Sequence, residues 1–176
     1  MGDRKIVFAG AMGAGKTTAI RALSEIEPVS TEVANRQQGG VQKESTTVAL
    51  DYGEINVGNG ERLRLYGTPG QERFAFMWRI LARGALGVVV LVDHSQPDPI
   101  AATLQYLNYF SELRQDIPFV IGVGRIGQVS SPGLEGYIQA LADAGWRCPV
   151  LAVDVRRRED ALVLLDVLLS MAESAA

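Results

Sequence analysis

Apolar and polar positions along the chain switch repeatedly between a strand-like and a helix-like period. Residues 4–9, RKIVFA, run into an apolar stretch with strand character, and residues 15–26 place Ala19, Ile20, Leu23 and Ile26 at helical spacing, with Pro28 beyond the end. Residues 29–45 are polar and without period, with Gly39 and Gly40 in the middle. Connections of that length in a compact domain usually carry function. Residues 46–57 are β-branched and alternating, Gly58-Asn59-Gly60 signals a tight turn, and residues 61–66 alternate again through Leu63 and Leu65, which predicts a hairpin. A break at 67–70 precedes a short helical segment through Phe74, Met77, Trp78 and Leu81. Residues 85–93 form a continuous Val-rich run, as expected of a central strand covered on both faces. Helices over 99–115, 132–144 and 159–172 and strands over 118–124 and 149–154 complete the pattern. Strands alternate with helices throughout, apart from the hairpin. That order predicts an α/β fold: a mostly parallel six-stranded sheet with one antiparallel hairpin strand and helices on both faces, binding its ligand beyond the carboxyl ends of the strands.

Composition narrows the candidates. At 176 residues and 47% hydrophobic content, the chain is expected to form one domain over residues 1–176. Net charge is −3 and the 17 basic residues are scattered, so neither nucleic acid nor an anionic membrane is an expected partner. The single cysteine, Cys148, fits a reducing compartment and reads as a buried strand residue rather than a nucleophile. No signal segment, lipidation motif or membrane-spanning run is apparent, so the expected location is the cytoplasm, without an anchor.

The candidate chemistry begins at residues 10–17, GAMGAGKT, which match G-x-x-x-x-G-K-[ST] between a predicted strand and a predicted helix. Gly10, Gly13 and Gly15 allow the backbone to turn tightly, so that the N–H groups of residues 13–18, including Ala14 and Thr18, face a phosphate. Lys16 supplies a charge to the β- and γ-phosphates, and the Thr17 hydroxyl is placed to ligate the accompanying Mg2+.

The second constellation is Leu65-Tyr66-Gly67-Thr68-Pro69-Gly70-Gln71-Glu72-Arg73-Phe74. It resembles the DTAGQERF segment of Ras-like small GTPases, and the order of elements is similar over essentially the whole chain. Pro69 before Gly70 is closer to the bacterial MglA-type branch. The resemblance implies a Ras-like P-loop G domain that binds GTP or GDP with Mg2+. In it, Gly70 would offer its N–H to the γ-phosphate, Gln71 would orient the attacking water, and Lys16 would act with it in catalysis. Residues 45–52, STTVALDY, resemble the end of the first switch, with Thr47 binding both metal and γ-phosphate; an alignment shifted by one residue gives that role to Thr46.

Three positions depart from the family pattern. Gly67 stands where the family has an Asp that holds a metal-bound water. Asp51, on the neighbouring strand, either substitutes for it or faces water at the sheet edge. Residues 124–127, GRIG, replace the guanine-reading NKxD box, leaving Arg125 to stack on a purine but no carboxylate for the two guanine donors. The last box, usually SAK, is matched by Asp154-Val155-Arg156; Val155 would offer its N–H to the base, and Asp154 is a candidate for the missing carboxylate. Asp93 reads as a turn residue, Arg156-Arg157-Arg158 as a solvated run, and His94 as a lone histidine. The resemblance implies a slow GTPase acting as a regulatory switch, with a roadblock-type activating partner and an effector. The alternatives are an adaptor that binds nucleotide without hydrolysing it and an ATP/GTP hydrolase of relaxed specificity.

Overall fold

A computed structural model describes residues 4–34, 47–58, 60–128 and 132–174. Seven strands form one sheet: β1 (Arg4–Ala9), β2 (Val29–Ala34), β3 (Thr47–Asn56), β4 (Arg62–Gly67), β5 (Gly87–Asp93), β6 (Phe119–Gly124) and β7 (Val150–Ala152), in the spatial order β2-β3-β4-β1-β5-β6-β7. β1 is parallel to β4 and β5, β6 is parallel to both of its neighbours, and β3 runs antiparallel to β2 and β4. The expected six-stranded sheet with its antiparallel hairpin strand is therefore present, widened by an edge strand. That edge strand, β2, corrects the expectation of an unstructured connection from residue 29. Its backbone pairs with β3 from Val29 opposite Tyr52 to Ala34 opposite Thr47.

The helices are α1 (Lys16–Leu23), α2 (Ala75–Ala82), α3 (Pro99–Leu113), α4 (Leu134–Asp143) and α5 (Arg158–Ser174). α1 stops before the expected Ile26 because Ser24 turns extended and its hydroxyl donates to the Ile26 carbonyl at 2.8 Å. α3 begins at Pro99, whose missing N–H is harmless at a first helical position, and the Asp98 carboxylate accepts the Ala101 N–H.

The sheet is apolar on both faces, as the Val-rich run predicted. Val88, Val90 and Val92 of β5 join Val7, Ile121, Met77, Leu107, Phe110 and Tyr137 under α2, α3 and α4. Val89 and Leu91, pointing the other way, join Ile6, Phe8, Leu65, Ile20, Leu164 and Leu168 under α1 and α5. Full burial of each Leu, Ile or Val contributes about 1.5–3 kcal/mol, so both layers hold the strand ends in place. Trp78 matters most to the site. Its ring stacks on Phe110 at 6.1 Å and meets Tyr109 edge-on at 5.1 Å, while its indole N–H donates to the Pro69 carbonyl at 2.8 Å.

Leu107 is completely buried and Ile138 is half exposed. Leu107→Ala is expected to cost about 2–5 kcal/mol, and Ile138→Ala less than about 0.5 kcal/mol, in equilibrium unfolding by urea.

Candidate functional site

β1 ends at Ala9 and the chain turns through Gly10 (φ 145°) and Gly13 (φ 80°) to Gly15, which caps α1 in the left-handed region (φ 102°). The tightness has a steric cause. A Cβ on Gly10 would lie 2.3 Å from the Leu91 carbonyl oxygen of β5, and one on Gly15 would lie 2.8 Å from Val155 Cγ2. Lys16 folds back over the loop, its ammonium donating to the Gly10 and Ala11 carbonyls at 2.6 and 2.8 Å. Burial lowers its pKa from 10.5 to about 8, against the opposing pull of the Asp51 carboxylate.

The next residue, Thr17, donates its hydroxyl to Asp51 Oδ2 at 2.5 Å. Asp51 lies opposite Gly67 in the β3–β4 register. A Cβ built on Gly67 would be 3.1 Å from Asp51 Cβ and 3.3 Å from Asp51 Oδ2. The carboxylate of β3 thus occupies the space that a side chain at position 67 would enter. Of the two sequence readings of Asp51, the structure places the side chain inward, on Thr17. Thr47 is the first residue of β3, opposite Ala34; its side chain and all of Thr46 lie outside the described residues.

Beyond β4, the Thr68 N–H donates to the Phe8 carbonyl, which carries the chain back across the mouth of the sheet. Thr68 Oγ1 is buried without a hydrogen-bond partner. Gly70 lies against the phosphate loop: a Cβ there would fall 2.4 Å from the Met12 nitrogen. Gln71 is half-buried, and its amide oxygen accepts from Arg73 Nε at 2.7 Å, so that side chain is turned toward its own segment. The Tyr109 hydroxyl donates to the Ala75 carbonyl at 2.7 Å, tying the segment to α3.

On the other side of the phosphate loop a cavity of about 540 Å³ opens between Gly13–Gly15, Thr18, the end of β6 and the end of β7. Arg125, Asp154 and Val155 line it, as do Asp93, Gly124, Gly127 and Asp160. Arg125 adopts φ 59° and sends its guanidinium to Asp93. Asp93 is more than the expected turn residue. It is buried, and although burial alone would raise its pKa, donors from Ser95, Gln96 and Arg125 hold it below the usual carboxylate range. Asp154 is gripped by Arg156, Nε to Oδ1 at 2.8 Å and Nη2 to Oδ2 at 2.6 Å, which lowers its pKa to about 2. Arg156 is exposed, as a solvated run implies, and it also lines the cavity. Sequence reasoning missed Asp160, whose carboxylate accepts the Asp154 N–H at 2.8 Å; an acidic residue in the first turn of α5 was the available signal.

Two other candidates lie apart from the cavity lining. His94 is buried, with Nδ1 2.8 Å from the Tyr137 hydroxyl. Burial raises the Cys148 pKa to about 11, which makes it a poor nucleophile. Among the described residues, no group of three or more His, Cys, Asp and Glu could hold a metal, and no helix is long and apolar enough to cross a membrane.

A family model described as "conserved hypothetical ATP binding protein" matches residues 27–145, more than half of the chain. The chain belongs to that family. The matched region starts after the phosphate loop, so the loop and the family assignment are independent observations. The GTP-binding protein ypt4 of Schizosaccharomyces pombe is 31% identical over 133 residues, 72% of this chain and 50% of its own. An uncharacterized protein of Methanocaldococcus jannaschii is 30% identical over 92 residues, 52% of either chain. The chain spans about half the length of these curated relatives. Among solved structures, the G domain of the T. maritima FeoB iron transporter superposes with a TM-score of 0.68 at 18% identity, covering 97% of this chain and 99% of that one. Arl6 BBS3 of Trypanosoma brucei, determined with the nucleotide analogue GppNp, superposes with a TM-score of 0.71 at 13% identity, covering 99% and 100%. The fold is that of a GTPase G domain.

The depressed pKa of Lys16 makes binding pH-dependent. A polyphosphate beside the ammonium favours its charged form, so the complex keeps the proton to higher pH than the free protein does. Affinity for a nucleoside triphosphate should be full well below the free protein's Lys16 pKa of about 8 and decline above it. The decline should approach tenfold per pH unit, roughly one proton taken up on binding, in calorimetric titrations between about pH 7 and about pH 9.5.

Proposed function

We propose that residues 1–176 form a single G domain that binds a nucleoside triphosphate with magnesium and hydrolyses its β–γ anhydride as a regulatory switch, with GTP releasing GDP and phosphate. The observation that carries this reading is the convergence on one loop of Lys16, the Thr17–Asp51 pair and the backbone of Gly70. The family is described as ATP binding and the yeast relative is named GTP-binding, so the phosphates are the part of the ligand on which the relatives agree.

The donor set fits magnesium. Thr17 and Asp51 present hard oxygens side by side, and magnesium in triphosphate sites needs only one or two protein oxygens besides the phosphates. Thr17 would hold the ion, Thr47 would join from the first switch, and Asp51 would supply the outer carboxylate that Gly67 lacks. Bound there, the ion would supply charge neutralisation to the phosphates. The remaining work belongs to the chain. Backbone N–H groups of residues 13–18 and the Lys16 ammonium stabilise the phosphate oxygens, Gly70 offers its N–H to the γ-phosphate, and Gln71 orients water. Because the transition state is loose, an uncharged amide suffices for that last task. On the base side, Arg125 and Val155 would face the purine, with Asp154 in the same wall.

The resemblance to the MglA-type branch implies that a roadblock-type protein would accelerate the slow intrinsic reaction, and an effector would read the triphosphate state in the cytoplasm. A second reading is a nucleotide-binding adaptor that hydrolyses weakly or not at all. The Arg73–Gln71 hydrogen bond favours it, since it holds the amide within its own segment.

Phosphate release from Mg2+-GTP separates the two. Gln71→Ala is expected to lower the rate by about tenfold to a hundredfold, the usual cost of misplacing a reacting group; an unchanged rate would remove Gln71 from the mechanism, and wild-type release no faster than in buffer would leave the adaptor. Asp51→Asn should weaken magnesium-dependent triphosphate binding by about 10- to 100-fold. The exchange Asp51→Gly with Gly67→Asp should restore most of it, as read by calorimetry with Mg2+ and with EDTA.

A further inference from the structure

We infer that the base end of this cavity does not select guanine, and that adenine and guanine nucleotides are bound alike through their phosphates and the flat face of the purine. The inference rests on the nucleotide-binding reading above and concerns the substrate class of the same site. To prefer guanine over adenine, a pocket must offer a fixed acceptor to two adjacent donors, the ring N1–H and the exocyclic amine. An ionised carboxylate with both oxygens available is the side chain that does this.

Three carboxylates line the cavity, and each already serves the protein. Asp93 accepts from the Ser95 N–H at 3.0 Å and the Ser95 hydroxyl at 2.6 Å on one oxygen, and from Gln96 and Arg125 on the other. Asp154 is closed at both oxygens by the Arg156 fork, and its Oδ1 also accepts the Arg156 N–H at 3.1 Å. Asp160 gives Oδ2 to the Asp154 N–H and faces Arg157 Nε at 3.9 Å with Oδ1. To read guanine, Asp154 would have to give up charge-assisted bonds to a guanidinium for bonds to a neutral base. That exchange replaces existing bonds instead of adding new ones, which lowers the reward for choosing guanine. The described turn that follows β6 adds no acid, since residues 124–128 are GRIGQ.

What the cavity does offer is tolerant of either purine. Ala14, Ile126, Val153 and Val155 line it with apolar surface, and any base has a face to lay against such a wall. The same turn also has room for the missing group: a Cβ on Gly127 would meet no atom within 4 Å.

The test is calorimetric titration of the full chain with Mg2+-GTP and Mg2+-ATP, for wild type and Gly127→Asp. Wild-type affinities within about tenfold of each other are expected, and a larger preference for GTP overturns the inference. Gly127→Asp is expected to move the ratio toward GTP by about tenfold or more, because the added carboxylate pairs with donors that adenine lacks. An unmoved ratio also overturns it, since the base edge would then lie elsewhere. Binding of neither nucleotide defeats the underlying nucleotide reading, a failure distinct from binding GTP alone.

Discussion

Three strand ends press on one loop with no space for a side chain between them. Leu91 of β5 meets Gly10, Val155 beyond β7 meets Gly15, and Gly70 beyond β4 meets the Met12 amide; added Cβ atoms would sit 2.3, 2.8 and 2.4 Å from these neighbours. Two of those three contacts are with backbone atoms, which cannot swing away as the end of a flexible side chain can. The turn through residues 10–15 is therefore held by its surroundings as much as by its own dihedral angles, and every group aimed at a ligand inherits its position from that packing. The burial of both sheet faces supplies the force: β1, β4 and β5 cannot slide without exposing Val7, Leu65 or Val90 to water.

Within this frame, charge follows place rather than sequence position. A carboxylate beside Thr17 comes from β3 because Asp51 and Gly67 are paired across the hairpin, and the glycine leaves the volume into which Asp51 leans. At the far end of the cavity, Arg125 and Arg156 each take up an aspartate, so the wall there is a set of closed ion pairs. Asp93 is buried while its partner Arg125 is half exposed, and the Asp154 pair is the more exposed at both ends. Solvent screens the exposed pair, so it shapes the cavity wall more than it stabilises the fold.

The difference between what was legible in the sequence and what was not follows from the range of the interactions. The phosphate loop, the order of strands and helices and the doubly covered β5 are local patterns, written in glycine spacing and side-chain period. β2 escaped because its pairing is read from backbone hydrogen bonds to β3, and the period of VSTEVA alone did not announce it. The inward turn of Asp51 depends on a register between two strands, which a shift of one residue would reverse. Asp93 looked like punctuation at a strand end; only the fold brings Arg125, thirty-two residues later, against it.

The same distinction between local and distant contacts decides how the segment after β4 can move. Its main chain is fastened by Thr68 to β1, by the Trp78 indole to the Pro69 carbonyl and by the Tyr109 hydroxyl to the Ala75 carbonyl. Trp78 cannot follow a displaced Pro69 without leaving its stack on Phe110, so shifting the whole segment means opening part of the core. Gln71 is different. Arg73 holds its side chain by one hydrogen bond at the surface, an interaction whose net contribution is about 0.5–1.5 kcal/mol. Turning that amide toward a ligand therefore leaves the Trp78 anchor intact. A side-chain rotation at Gln71 and a rearrangement of the segment are separate events with very different costs, and a partner that displaces Arg73 would act on the cheaper one.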